Sequence, residues 1–295
     1  MGFATGLVPA VYDRLYTEKH RERLERAMVA LSVLGFFAHL ALIFLARNLH
    51  ASPPLVATAG RNYLSAIATP FSFILFYEVL ILISAIPQST TDSIATQFEI
   101  VSLIFVRGFF QDIAGIDLDQ LKTPSTDLAP ALLDVAAGIT MFLLVTIFRH
   151  ITQKRNAGLP QEFSPRLKKF IARKKTVSVA LTILFLGLAG RSIWQFALEL
   201  ARGSQDAFHH RTGFYADVFL VMIFTDVLIL LLSLLVSDHF ELVFRNAAFV
   251  ISTILIRSAL TAGHPYGAVV GVAGMIFGIL TVMIYNYHLR VCGRK

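Results

Sequence analysis

The sequence predicts an all-α integral membrane protein with eight transmembrane helices arranged as two parallel four-helix repeats. Three observations carry that prediction. Of 295 residues, 56% are hydrophobic and only 15% charged, so the mean hydropathy is +0.67 and the apolar surface exceeds what a soluble core of this size hides. The apolar residues fall into eight runs close to the about 20 residues that a helix needs to cross a bilayer core of about 30 Å. The basic residues gather in three blocks, one before the first run, one between the fourth and fifth, and one after the eighth.

Residues 1–26 form a cytoplasmic N-terminal segment. Its charged stretch runs to Arg26 and the apolar run after it is too long for a signal-peptide core, so it is not a cleavable signal. Gly6 stands where a myristoylation motif needs Ser or Thr. The segment reads as an exposed, partly helical lead-in. The first four-helix unit, 27–149, holds spans at 27–46, 63–86, 97–114 and 130–148. Residues 150–176 are a basic cytoplasmic linker. The second unit, 177–288, holds spans at 177–199, 213–236, 246–262 and 266–287, and 289–295 form a cytoplasmic tail. Spans three and seven are short and each carries an arginine.

Arg14, Lys19, Arg21, Arg23 and Arg26 precede span one; Arg149 to Lys175 supply nine basic residues between the halves; Arg290, Arg294 and Lys295 close the chain. With four spans in each half, all three blocks lie on one side, and the positive-inside rule makes that side cytoplasmic. The acidic loop "QDIAGIDLDQLKTPSTDLAP" falls on the other. The formal charge of +7 is therefore a topology signal rather than a nucleic-acid footprint. Within the linker, "SPRLKKFIARKKT" suits a helix lying on anionic lipid headgroups, or serves only to fix orientation.

The chain contains an internal repeat. "FYEVLILIS" (76–84) returns as "FTDVLILLLS" (224–233), and "SLIFVRGFF" (102–110) as "STILIRSAL" (252–260). Glu78 to Asp226 is an offset of 148 positions, Arg107 to Arg257 of 150 and Gly35 to Gly187 of 152. Four spans per half give both halves the same orientation, a parallel repeat about an axis normal to the membrane.

Each copy places one carboxylate and one arginine within the bilayer. Glu78 lies about 22 Å along span two from its outer end and Arg107 about 15 Å along span three from the cytoplasmic side, a depth difference of roughly 7 Å. Asp226 and Arg257 differ by roughly 6 Å. An unpaired charge at mid-membrane costs about 2.5–3.5 kcal/mol on insertion scales, so each acid is expected to meet its arginine. Two readings stay open: a clamp that fixes helix register, and a relay or binding site.

Additional polar sites are His39 in span one, matched by Arg191 in span five, and Asp134, which sits one turn inside span four where an outer-interface placement suffices. A lone membrane histidine most simply bonds a neighbouring helix. Gly267, Gly271, Gly274 and Gly278 form a small-residue stripe along span eight, suited to packing within the fold or against a second copy or a membrane partner. Cys292 is the single cysteine, so an intrachain disulfide and a cysteine metal cluster are excluded. A phosphate-binding loop, a zinc-protease motif and a nucleophile elbow are absent, which predicts a non-enzymatic protein without cofactor or metal.

An aromatic helix with F-x-[ED], a polar turn, a helix ending near an arginine and a closing apolar helix recur in each half. They are "FILFYEVLILI", "EIVSLIFVRGFF" and "LLDVAAGITMFLLVTIF", then "MIFTDVLILLLSLL", "FVISTILIRSAL" and "VVGVAGMIFGILTVMIY". Each set resembles the four-span domain of the phosphate-starvation-inducible protein E (PsiE) family, over about 70–149 and 218–287. The resemblance implies a bacterial inner-membrane protein tied to phosphate limitation or stress, with Glu78, Arg107, Asp226 and Arg257 as the family-like positions. It implies no catalytic residues. The chain departs from the family in carrying two units in tandem, with Asp for Glu in the second.

Overall fold

The structure is a computed structural model that describes residues 4–48, 62–115, 128–156, 165–201, 211–234, 240–263 and 265–292. The centre of the basic linker (157–164), most of the acidic loop (116–127) and the end of the tail (293–295) lie outside the described residues. Among the described residues the regular structure is all helical: α1 (Ala4–Leu15), α2 (Glu18–Asn48), a 3-10 turn (Tyr63–Ile67) leading into α3 (Ala68–Ala85), α4 (Thr90–Gly115), α5 (Ala129–Asn156), α6 (Pro165–Ala201), α7 (Arg211–Leu234), α8 (Phe240–Thr261) and α9 (Tyr266–Cys292). Eight of these segments, α2 to α9, are long and apolar enough to cross a membrane, one for each predicted span.

Several helices outrun their apolar cores. α4 begins seven residues before the predicted span, because Ser89 caps it. Its Oγ accepts from the Asp92 amide at 3.2 Å and donates to the Asp92 carboxylate at 2.5 Å, a reciprocal cap that starts a helix in polar sequence. α2 likewise absorbs Arg21, Arg23 and Arg26 into its first turns, with Arg26 paired to Glu22 at 3.3 Å one turn earlier. The basic linker is mostly helix extension: α5 continues to Asn156, and "PRLKKFIARKKT" is the start of α6, continuous with span five.

The N-terminal segment is helical and mostly exposed, and it is also docked, because α1 packs along α6. Tyr12 donates its hydroxyl to the Ser84 carbonyl at 2.5 Å, and Tyr16 shares a hydrogen bond of 2.6 Å with Thr182. Asp13 holds Lys175 at 2.6 and 2.8 Å. Burial, with Tyr16 and Asp13 adding to it, pushes the Tyr12 phenol up to about 12. Burial also raises Tyr16, against the opposing hydrogen bond from Thr182. Tyrosines suit this docking because each buries a ring and keeps a polar tip that must find a partner.

Packing follows the same succession in both halves. α2 lies on α3, α3 on α4 and α4 on α5; α6 lies on α7, α7 on α8 and α8 on α9. The halves meet through α5 on α9, α4 on α8 and α3 on α6. Two cores cross this seam. One joins Phe98, Met141 and Phe148 to Phe249, Ile256 and Met275, with the Phe148 ring centroid 5.1 Å from Phe98 and 6.2 Å from Phe249. The other joins Val79 and Ile83 to Phe185, Phe219 and Met222. Ser178 donates to the Ile83 carbonyl at 2.8 Å and Tyr215 to the Ser72 carbonyl at 3.0 Å, tying the halves further.

The outward faces are apolar. Ile139, Phe142, Ile183, Trp194, Leu231 and Val269 are each more than half exposed, a surface that suits lipid and not water. Lipid removes most of the hydrophobic drive between helices, so close backbone approach matters more. The glycine stripe of α9 provides it inside the chain. A Cβ on Gly278 would meet Phe98 at 2.6 Å and Ser252 at 2.8 Å, and one on Gly271 would strike Met141. Gly274 lies against Leu255 and Ile256, and Gly267 beneath the Ala259 and Ala262 carbonyls. Ser252 donates to the Gly274 carbonyl at 2.7 Å and fixes α8 to α9. All four glycines are buried, so the stripe is used within the fold rather than presented to a second copy.

Candidate functional site

Each acid meets its arginine. Glu78 on α3 forms a direct ion pair with Arg107 on α4, their side chains 7% and 12% exposed. Asp226 on α7 pairs with Arg257 on α8 at 2.5 Å, their side chains 9% and 2% exposed. Both contacts join consecutive antiparallel helices, as the shared depth requires.

The surroundings of the two pairs differ. Arg257 has a second partner, donating from Nη2 to the Gln97 side-chain oxygen at 2.9 Å. Gln97 belongs to α4, so this bond crosses from one half to the other. Gln97 in turn lies 3.5 Å from Ser93, one helical turn away. Beside them opens a cavity of about 50 Å³ lined by Thr90, Ser93, Gln97, Lys174, Asp226 and Thr253, with apolar walls from Ile94 and Phe249. A water needs roughly 10–15 Å³ measured this way, so the cavity holds a few waters or one small solute. This cavity does not reach Glu78 or Arg107, and the second Glu78 oxygen is buried without a hydrogen bond.

Lys174 is the unexpected member. It sits on α6, is only 4% exposed, and donates from Nζ to the Gln88 carbonyl at 2.7 Å. The Phe170 ring lies 5.6 Å from the same ammonium. The site thus gathers two cations, Lys174 and Arg257, around one carboxylate, Asp226, in the seam between the halves.

The remaining predicted positions separate. His39 shares a 2.6 Å hydrogen bond with Thr69 between α2 and α3. Arg191, its sequence match, is exposed on α6. The two share a register position but no environment. Asp134 does not face the outer interface: it is 6% exposed and its carboxylate lies against Gly108 of α4, in space that a Cβ there would occupy. Glu99 and Arg149 form a further ion pair between α4 and α5, about one-third exposed. Among the described residues no group of three or more His, Cys, Asp or Glu is placed to hold a metal.

Gln97 and Lys174 escape a search for repeated charges, since Gln97 aligns with Ala247 and Lys174 reads as one basic residue among nine. The signal that finds them is helical spacing. Lys174, Ser178 and Thr182 recur at four-residue intervals and all are buried, as are Ser93 and Gln97. A polar stripe at i, i+4 marks one helix face, and on a membrane helix that face turns inward.

Comparison with protein-family models, with curated proteins and with solved structures finds no match to this chain.

Proposed function

We propose that this polytopic membrane protein is non-enzymatic and passes ions or small solutes along the seam between two pseudo-equivalent four-helix halves. The observation that carries the reading is the polar cavity at Asp226, whose walls come from both halves. Transporters built from internal repeats place their sites at such seams. The recurring order of helix packing and the recurring acid and arginine pairs support the duplication. The three basic blocks support a cytoplasmic location for both termini, and the PsiE-like motifs support a bacterial inner-membrane protein of the stress-response type.

The two pairs take different parts in this reading. Glu78 and Arg107, paired directly and outside the lining of the Asp226 cavity, act as a clamp on α3 and α4. Asp226, which borders the cavity, and its partner Arg257, which bonds the cavity residue Gln97, belong to the route. Purified protein in proteoliposomes tests it: dye-reported flux of monovalent ions is expected in wild type and lost in Asp226→Asn. Wild-type vesicles as tight as protein-free ones to cations, anions and protons alike would refute permeation.

A regulatory or structural subunit is the second reading, favoured by one observation, the direct contact within each charge pair, which pairing alone explains. Its suggested docking face, the glycine stripe, is buried against α4, α5 and α8. A partner would have to use another surface, and a stoichiometric complex surviving Gly274→Leu would support it.

A further inference from the structure

The seam cavity carries a charge surplus, and that surplus names a ligand class. Asp226 is committed to Arg257 at 2.5 Å, and Gln97, a neutral acceptor, takes another of the guanidinium hydrogens. Lys174 borders the cavity beside Asp226 and Gln97, and among the described residues its hydrogen-bond acceptor is a backbone carbonyl, that of Gln88. Of the described groups around it, Asp226 is the carboxylate that acts on it through space. One acid therefore faces two cations that are 4% and 2% exposed. Buried charge without compensation is costly, and the common remedy is a counter-ion.

The remaining lining reinforces the sign. Ser93 and Thr90 bring hydroxyl groups to the cavity, each able to donate to an anion, while Thr253 donates its hydrogen to the Val250 carbonyl at 2.9 Å. Thr90 and Ser93 also lie in the first turn of α4, where the helix dipole favours negative charge, although Asp92 already stands in that turn and the Asp92 and Ser93 amides are bonded to Ser89. That dipole adds to Lys174 and Arg257 and is not needed to define the site. A volume of about 50 Å³ admits a halide or a compact triatomic anion. It is too small for a phospholipid headgroup with its two chains or for a sugar acid.

We propose that the cavity between Lys174, Gln97 and the Asp226–Arg257 pair is a binding site for a small monovalent anion such as chloride. That this anion is also the permeating solute rests on the reading given above. Binding supplies the negative charge that the cluster lacks, with Lys174 as the principal contact and the hydroxyls as secondary donors.

The test is thermal unfolding of the full chain in an uncharged detergent without anionic lipid, with chloride exchanged for gluconate at constant sodium and ionic strength. Linkage predicts a rise of about 3 °C in chloride at ten times its Kd, with no rise in gluconate. Lys174→Gln should abolish the shift, and Lys174→Arg should restore it. Gln97→Glu, nearly isosteric, adds a carboxylate beside Arg257, cancels the surplus and should also abolish it. Lys175→Gln, which releases the Asp13 and Tyr12 contacts of α1, should leave it unchanged. A wild-type Tm that is the same in chloride and gluconate overturns the proposal and makes Lys174 a neutral amine bonded to Gln88. A shift that persists in both Lys174→Gln and Gln97→Glu places the anion elsewhere and overturns it too. Chloride stabilisation without vesicle flux upholds the site and refutes permeation. Cation flux without chloride stabilisation does the reverse.

Discussion

Neutralising Asp226 should destabilise the protein more than neutralising Arg257, although the two form one ion pair. Asp226→Asn leaves Arg257, 2% exposed, with Gln97 as a neutral partner, and Lys174 as a second buried cation that has lost the same carboxylate. Arg257→Gln leaves Asp226 with Lys174 across the cavity as a replacement counter-charge. Breaking a buried pair from one side costs about 3–5 kcal/mol. At the roughly 2 °C per kcal/mol of a large domain, Asp226→Asn should lower the Tm by about 6–10 °C. Arg257→Gln should fall toward the lower end of that range. The double variant should recover most of the loss, because no uncompensated charge from the pair remains, giving a coupling at least as large as the smaller single loss, about 3 kcal/mol or more. The assay is a detergent thermal-shift cycle, with Glu78→Gln and Arg107→Gln as the parallel cycle. Single effects that simply add, with coupling under about 0.5 kcal/mol, would refute direct pairing. Equal losses from Asp226→Asn and Arg257→Gln would refute the part assigned to Lys174.

Gly278→Leu should destabilise by about 1–3 kcal/mol or more, because Phe98 and Ser252 already occupy the space and Phe98 is fully buried. Detergent Tm reads the loss, and an unchanged value would mean that α9 does not press on α4. The docking of α1 should weaken at high pH. The Tyr12 phenol is raised above its ordinary 10 to about 12 in the folded state, so its contribution is complete below about pH 10 and is lost as pH rises toward 12. Spin labels at Val11→Cys and Thr176→Cys, in a Cys292→Ser background, should report separation of α1 from α6 over that window. A distance that stays constant through pH 12 would contradict it.

Much of the architecture was legible because membrane insertion is nearly a one-dimensional problem. Span length is set by bilayer thickness and helix rise, so hydropathy alone located eight helices, and depth alone brought Glu78 to Arg107 and Asp226 to Arg257. What depth leaves open is rotation about each axis, about 100° per residue, and the lateral order of helices. Those decided that Arg191 turns outward while its match His39 bonds Thr69, and that Asp134 presses on Gly108 instead of facing the interface.

Composition, periodicity and charge placement thus determined by themselves that the chain is helical, has eight helices apolar enough to span a membrane, and pairs Glu78 and Asp226 with arginines, since each property follows from the cost of polar groups in hydrocarbon. Only the tertiary structure decided which pair borders a cavity. That distinction depends on Gln97 and Lys174 arriving from elements 129 and 52 positions before Asp226, and residues so far apart meet through the packing of the two halves against each other, which no local pattern encodes.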